Sequence, residues 1–264
     1  MRYLIMISYD GSEFIGWQKQ KQGRSIQAVL EHALEAFSQK PSPITSAGRT
    51  DAGVHALAQY AHFEYEGRMD MAQMLKAFRR WLPADIKVLQ IWQVGDDLSA
   101  RYQAFERQYR YVLSKDLCPF TRNFTGFIPH LKLRLMPMQA AAARLLGRHD
   151  FSSFGRLNPE VPNHFCEINQ LTIIEQEDAF VFTVRADRFL HHMVRRIVGT
   201  LAYISHFDLP ADTIDKILAD ACPRQNLVCT APPQGLFLIG VKYPAELLDG
   251  KATCKLSDTR RRLI

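Results

Sequence analysis

The sequence predicts an α+β fold made of two similar halves, each a mainly antiparallel sheet with its helices on one face. Three observations predict it. Short segments of strand-like hydrophobicity alternate with helical apolar stripes along the chain. The strands are few and the helices are free to cover one face, which argues against a doubly wound sheet. A stretch of mixed charge carrying Pro119, Gly126 and Pro129 separates two segments of the same make-up. The chain accordingly divides into a first half, 1–114, a connector, 115–135, a second half, 136–244, and a peripheral tail, 245–264.

Residues 2–9, RYLIMISY, set Tyr3, Ile5, Ile7 and Tyr9 on one face and Leu4 and Met6 on the other, as a buried strand requires. Asp10-Gly11 ends it. Beyond a basic, aromatic loop, Ser25 caps a predicted helix whose stripe is Ile26, Val29, Leu30, Ala33, Leu34 and Phe37. A strand through Tyr60–Tyr65 follows, then a helix opened by Asp70 and closed by Pro83, and strands at 86–94 and 108–113. The first half thus holds four strands and two helices. In the second, 138–146 reads as a helix and 168–175 with 179–186 as a hairpin. Helices near 189–204 and 211–221 and a last strand at 236–243 complete it. No residue-level repeat links the halves.

At 47% hydrophobic, the 264 residues can bury a substantial core, and a net charge of +6 leans toward a polyanionic partner. The N-terminus lacks the parts of a signal peptide, and no segment approaches about 18 uninterrupted apolar residues, so a cytoplasmic protein with no membrane segment is expected. Five cysteines without a CxxC pair or zinc-ligand spacing predict reduced thiols and no structural metal. His191 and His192, adjacent on a predicted helix, would point about 100° apart and could not share an ion.

The segment SAGRTDAGVHA, from Ser46, sets Arg49, Thr50 and Asp51 between Gly48 and Gly53, just before a strand. The two glycines are expected to constrain a tight loop that presents Arg49 and Asp51. An arginine close to an aspartate favours the ionised carboxylate, a candidate nucleophile or base. The same residues also suit a plain turn in which Asp51 bonds loop amides and Arg49 pairs with it at the surface, and from the loop alone that reading is the commoner. On 107–111, RQYRY, Arg107, Tyr109 and Tyr111 share one strand face and Gln108 and Arg110 the other. Such a strand either stacks bases and holds phosphates or is a core strand with wet arginines. Lys19, Lys21, Arg24 and Arg110 are candidate phosphate contacts. In FLHHMVRRIVGTLAYI, Arg195 and Arg196 fall with His192 and Gly199 away from the apolar stripe, an arrangement typical of a solvated helix face.

Taken in order, YDGSEFIGWQKQ (9–20), GRTDAGVHA (48–56), RQYRY (107–111), FLHHMVRRIVG (189–199) and TAPPQGLFL (230–238) resemble the tRNA pseudouridine synthase A family, from residue 3 to about Pro244. The resemblance implies the pseudouridine synthase fold, with a basic central cleft between the halves. It implies a cofactor-free isomerase that turns uridine into pseudouridine at positions 38 to 40 of the tRNA anticodon arm, working as a homodimer. It carries over Asp51 as the essential aspartate, Tyr109 as the active-site tyrosine, Arg49 as the loop arginine and Arg195 as a basic residue that pairs with the aspartate. The chain departs from the family's pattern at Leu227-Val228 and at Arg196, where an asparagine is frequent.

The chemistry fits these residues. Breaking an N-glycosidic bond and rejoining the base through C5 needs a nucleophile or charge stabiliser, a group for the C5 proton and walls that retain the base. Two rivals remain: a silent tRNA-binding protein of the same fold, and a carboxylate-dependent nucleosidase. The latter commonly needs two carboxylates, and no second acid accompanies Asp51 in the motifs.

Overall fold

The computed structural model describes residues 1–156 and 163–248. Strand β1 (Arg2–Tyr9) is buried on both faces, as its unbroken apolar run demands. Helix α1 (Ile26–Ser38) starts where Ser25 accepts a bond from the Ala28 N–H, and it buries Ile26, Leu30, Ala33 and Leu34. A two-residue β2 (Thr45–Ser46) precedes β3 (His55–Glu64). Helix α2 (Met71–Trp81) has a full capping box between Asp70 and Gln73 and buries only Met74 and Phe78. Strand β4 (Ile86–Val94) follows.

Strand β5 (Glu106–Ser114) comes next, then helix α3 (Leu135–Ala143). The sequence places α3 three residues later. It ends at Ala143 because the N–H groups of Arg144, Leu145 and Leu146 bond three residues back, tightening the turn ahead of Gly147, whose φ is +90°. A short strand β6 (Gly147–Asp150), not foreseen from sequence, is too brief and polar to show an apolar period. The expected hairpin is present as β7 (Phe165–Glu175) and β8 (Ala179–Ala186). Helix α4 (Met193–Phe207) begins four residues later than its apolar pattern suggests, since His192 takes a left-handed conformation at φ 67° and breaks the helix. Helix α5 (Thr213–Asp220) and strand β9 (Leu236–Lys242) follow, and a short 3-10 turn at Ala245–Leu248 closes the described chain.

Two compact units result: Met1–Phe105 with the residues from Phe237 on, and Glu106–Leu236. The boundary differs from the sequence expectation, because the strand at 106–114 belongs to the second unit and the last strand to the first. Pairing decides this. All of β5 from Arg107 to Ser114 runs antiparallel to β8, while β9 pairs parallel with β3 at His55 and Ala56. In the first unit the strands run β4-β1-β3-β9, with β2 on β3, and α2 packs on β4. In the second they run β5-β8-β7-β6, and α3 packs on β7 and α4. Within each unit the strand pairing is mainly antiparallel, as predicted. Among the described residues the four cysteines are free thiols, and no helix is long and apolar enough to cross a membrane. The tail beyond residue 248, with Cys254, lies outside the described residues.

Candidate active site

In the first unit the loop carrying Asp51 is held from below by residues 9–17. The Trp17 N–H donates to the Thr50 carbonyl at 3.0 Å, and the Gly53 N–H donates to the Phe14 carbonyl at 3.2 Å. Tyr9 Oη and Thr50 Oγ1 lie 2.8 Å apart and buried, and burial pushes the Tyr9 phenol well above its ordinary pKa, so it stays neutral. Two glycines permit this approach. A Cβ on Gly11 would stand 2.1 Å from the Val54 carbonyl oxygen, and one on Gly16 would stand 2.7 Å from that of Thr50. The YDGSEFIGW segment is therefore the bed on which the Asp51 loop lies.

The loop's two flanking glycines are not equivalent. Gly53 takes φ +75°, a left-handed conformation, and the Val54 N–H closes the turn onto the Asp51 carbonyl at 3.2 Å. Gly48 shows no such conformation and faces open space, so sterics do not require glycine there. Its carbonyl is what matters, accepting from Ser46 Oγ at 2.9 Å and Gln59 Nε2 at 2.8 Å. Asp51 is half-buried at the loop's apex, whereas Arg49 is exposed and no ion pair joins the two. Their sequence proximity is not matched by side-chain pairing.

Just past the loop, His55 is buried and stacked on Phe237 at 4.8 Å. Its Nδ1 accepts the Gly11 N–H at 3.0 Å, and Asp10 Oδ1 lies 3.2 Å from the same nitrogen. A nitrogen that accepts an N–H carries no proton, so we read the Asp10 contact as proximity, not as an ion pair; Asp10 Oδ1 is in any case engaged by the Ser12 N–H and hydroxyl.

The basic candidates of this unit differ in availability. Arg24 pairs with both oxygens of Asp85, at 2.6 and 3.1 Å, and lies over the Phe14 ring. Lys19 is exposed and reaches Glu31 at 3.5 Å. Lys21 is exposed.

The second unit carries the remaining candidates. Tyr109 on β5 is 8% exposed and meets Phe189 edge-on at 5.1 Å. Tyr111, fully buried, donates its hydroxyl to the Pro232 carbonyl at 2.8 Å and is a core residue. Arg107 donates to the Asp187 carbonyl at 2.8 Å, and Arg110 is half-buried. Arg195 is clamped to the TAPP segment: its Nε donates to the Ala231 carbonyl at 2.8 Å, and its own carbonyl accepts the Ala231 N–H at 3.0 Å. Gly199, one turn on, makes room, since a Cβ there would stand 2.5 Å from the Cys229 carbonyl oxygen. Arg196 is no solvated residue either. It donates to the Gly155 carbonyl at 2.9 Å, and desolvation holds its guanidinium below the usual arginine pKa. His191 and His192 precede the helix with ring centroids 4.0 Å apart, so the helical argument for separating them does not hold.

Residues 5–103 and 141–244 match the family described as tRNA pseudouridine synthase. The chain belongs to the tRNA pseudouridine synthase family. This synthase is 39% identical over 250 residues to the tRNA pseudouridine synthase A of Bacteroides fragilis, an alignment covering 94% of this chain and 98% of that protein. It is 40% identical over 247 residues to the tRNA pseudouridine synthase A of Nitrosomonas eutropha, covering 93% and 88%. The matched stretches of the synthase contain Asp51, its bed and the Arg195 clamp, while RQYRY falls between them. Sequence reasoning assigned no task to Tyr9, Trp17, Thr50 or His55, and the two close-approach glycines at 11 and 16 were the available signal.

Proposed function

We propose that this synthase isomerises uridine to pseudouridine in tRNA, at positions 38 to 40 of the anticodon arm, as a cytoplasmic homodimer. The observation that carries the reading is the family match across both units, which includes the pinned Asp51 loop. In the reaction the C1′–N1 bond breaks, the base turns and C1′ bonds to C5. The proton on C5 is lost, and N1 ends protonated. Asp51 is assigned the carboxylate that attacks or stabilises charge at the reacting carbon, because a nucleophile gains most from being held in one geometry before the substrate arrives. Tyr109 is assigned the hydroxyl that receives or relays the C5 proton, Arg195 the balancing positive charge, and Arg49 the space vacated by the displaced base. Lys19, Lys21, Arg24, Arg107 and Arg110 are assigned to the RNA backbone. The target uridine must leave its stack, at a cost of a few kcal/mol, before any of this occurs.

The test is incubation with an unmodified tRNA transcript, followed by chemical mapping of pseudouridine. New signal at 38, 39 or 40 is expected, and a transcript that binds yet stays unmodified would end the reading. Sedimentation at working concentration checks the dimer, for which a monomeric mass is the contrary result.

A further inference from the structure

From the charge and register of the first unit we infer a second RNA-backbone contact, a cationic rail formed by Lys76, Arg79 and Arg80 of α2 with Lys87 of β4. The inference rests on the reading of tRNA as substrate and names a part of the protein that neither the sequence motifs nor that reading assigned. Positions 76, 79 and 80 share one face of α2, opposite the buried Met74 and Phe78, and all three are exposed. Lys87 is the exposed second residue of β4. Arg79 and Lys87 line one cavity of about 410 Å³ whose other walls include Leu82, Pro83 and Val88.

The charge of this face is not offset. Helix α2, MAQMLKAFRRW, has no acid. Of the neighbouring acids, Asp70 caps the helix and Asp85 holds Arg24 with both oxygens. Among the described residues no carboxylate pairs with Lys76, Arg79, Arg80 or Lys87, whereas Arg134, Arg144 and Lys216 elsewhere each have an acid partner. Cations in a helix's last turn complement its dipole, which accounts for Arg79 and Arg80 but not for Lys76 or Lys87. Trp81, 47% exposed at the C-terminal end of the same helix, offers a ring on which a base can stack, which favours a nucleic acid over other polyanions.

Register places the rail at the catalytic end of the sheet. Tyr9, the last residue of β1, pairs with Ala56 of β3 on one side and Ile86 of β4 on the other. The Asp51 loop runs into the start of β3, and Lys87 follows Ile86 at the start of β4, so the starts of these two strands flank the same end of β1, two strand spacings or roughly 10 Å apart. The Asp10 N–H, donating to the Asp85 carbonyl at 2.9 Å, ties the segment before β4 to the bed of the loop. A strand of RNA whose uridine enters over Asp51 continues onto these cations, and each phosphate neutralised releases counterions.

The test measures affinity of the full chain for unmodified tRNA transcript across a salt series. The Lys76→Gln, Arg79→Gln, Lys87→Gln triple variant is expected to lose at least about tenfold in affinity at low salt, with the slope of log affinity against log salt falling by about 3, one per phosphate contact. A control triple variant, Arg134→Gln, Arg144→Gln, Lys216→Gln, is expected to keep the wild-type slope. If the rail variant keeps that slope, or the control loses as much of it, the rail is overturned. Should the triple variant fail to fold, Lys87→Gln alone must lower the slope by about 1. Wild-type protein that binds the transcript with this cation dependence but forms no pseudouridine would overturn the isomerase reading and leave the rail standing.

Discussion

At the scale of single residues, the candidate site separates groups proposed to act from groups that hold. Asp51 is half-buried on a loop whose backbone is fixed by other residues, so Asp51→Asn keeps the shape and removes the charge. We expect it to fold and to bind tRNA within a few-fold of wild type, because phosphate contacts supply most of the affinity, while pseudouridine formation disappears. Retention of a substantial rate would make the loop a structural turn. Tyr9 does the opposite kind of work. Tyr9→Phe leaves the buried Thr50 hydroxyl without its 2.8 Å partner, a loss of about 1–3 kcal/mol that urea unfolding should register. Its turnover should also fall, since Thr50 adjoins Asp51, and a variant as stable and as fast as wild type would show the bond to be idle.

At the scale of elements, the motifs turn out to be contacts between segments. The glycines at 11 and 16 exist for the loop at 50–54, and Gly199 of α4 exists for the strand-like segment at 229–231. Neither relation is visible from spacing, because each partner lies some 30 to 40 residues away along the chain. The loop's own glycines give a sharp contrast. Gly53→Ala forces a side chain into a left-handed conformation at φ +75° and is expected to cost about 1–2 kcal/mol and much of the activity. Gly48→Ala meets open space and should change stability by no more than about 0.5 kcal/mol. Equal effects from the two, in denaturant melts of both variants, would refute this account of the turn. Elements with strong local signals were legible: the Ser25 cap, the helix opening at Asp70 and the apolar run of β1 each fall where the sequence puts them. The start of α4 was not, since the apolar period continues through Phe189 while the backbone at His192 does not.

At the scale of the whole molecule, a net charge of +6 becomes meaningful only through where its cations are engaged. Many are spent locally, as Arg2 on Glu64, Arg196 on the Gly155 carbonyl and Arg134 on Asp208. Those that remain are expected to make tRNA affinity fall steadily with rising salt, and an affinity unchanged between about 50 and 200 mM salt would contradict an electrostatic mode of binding. The sequence by itself determined the α+β class, the order of most elements and the family, and it singled out Asp51 as the candidate aspartate, because these rest on local periodicity, caps and contiguous motifs. Tertiary structure alone decided that the strand at 106–114 joins the second unit and the last strand the first. It also decided that YDGSEFIGW serves as the bed of the Asp51 loop and that Arg195 is clamped by Ala231. Strand pairing and close backbone approach are made between residues far apart in sequence, so no local pattern encodes them.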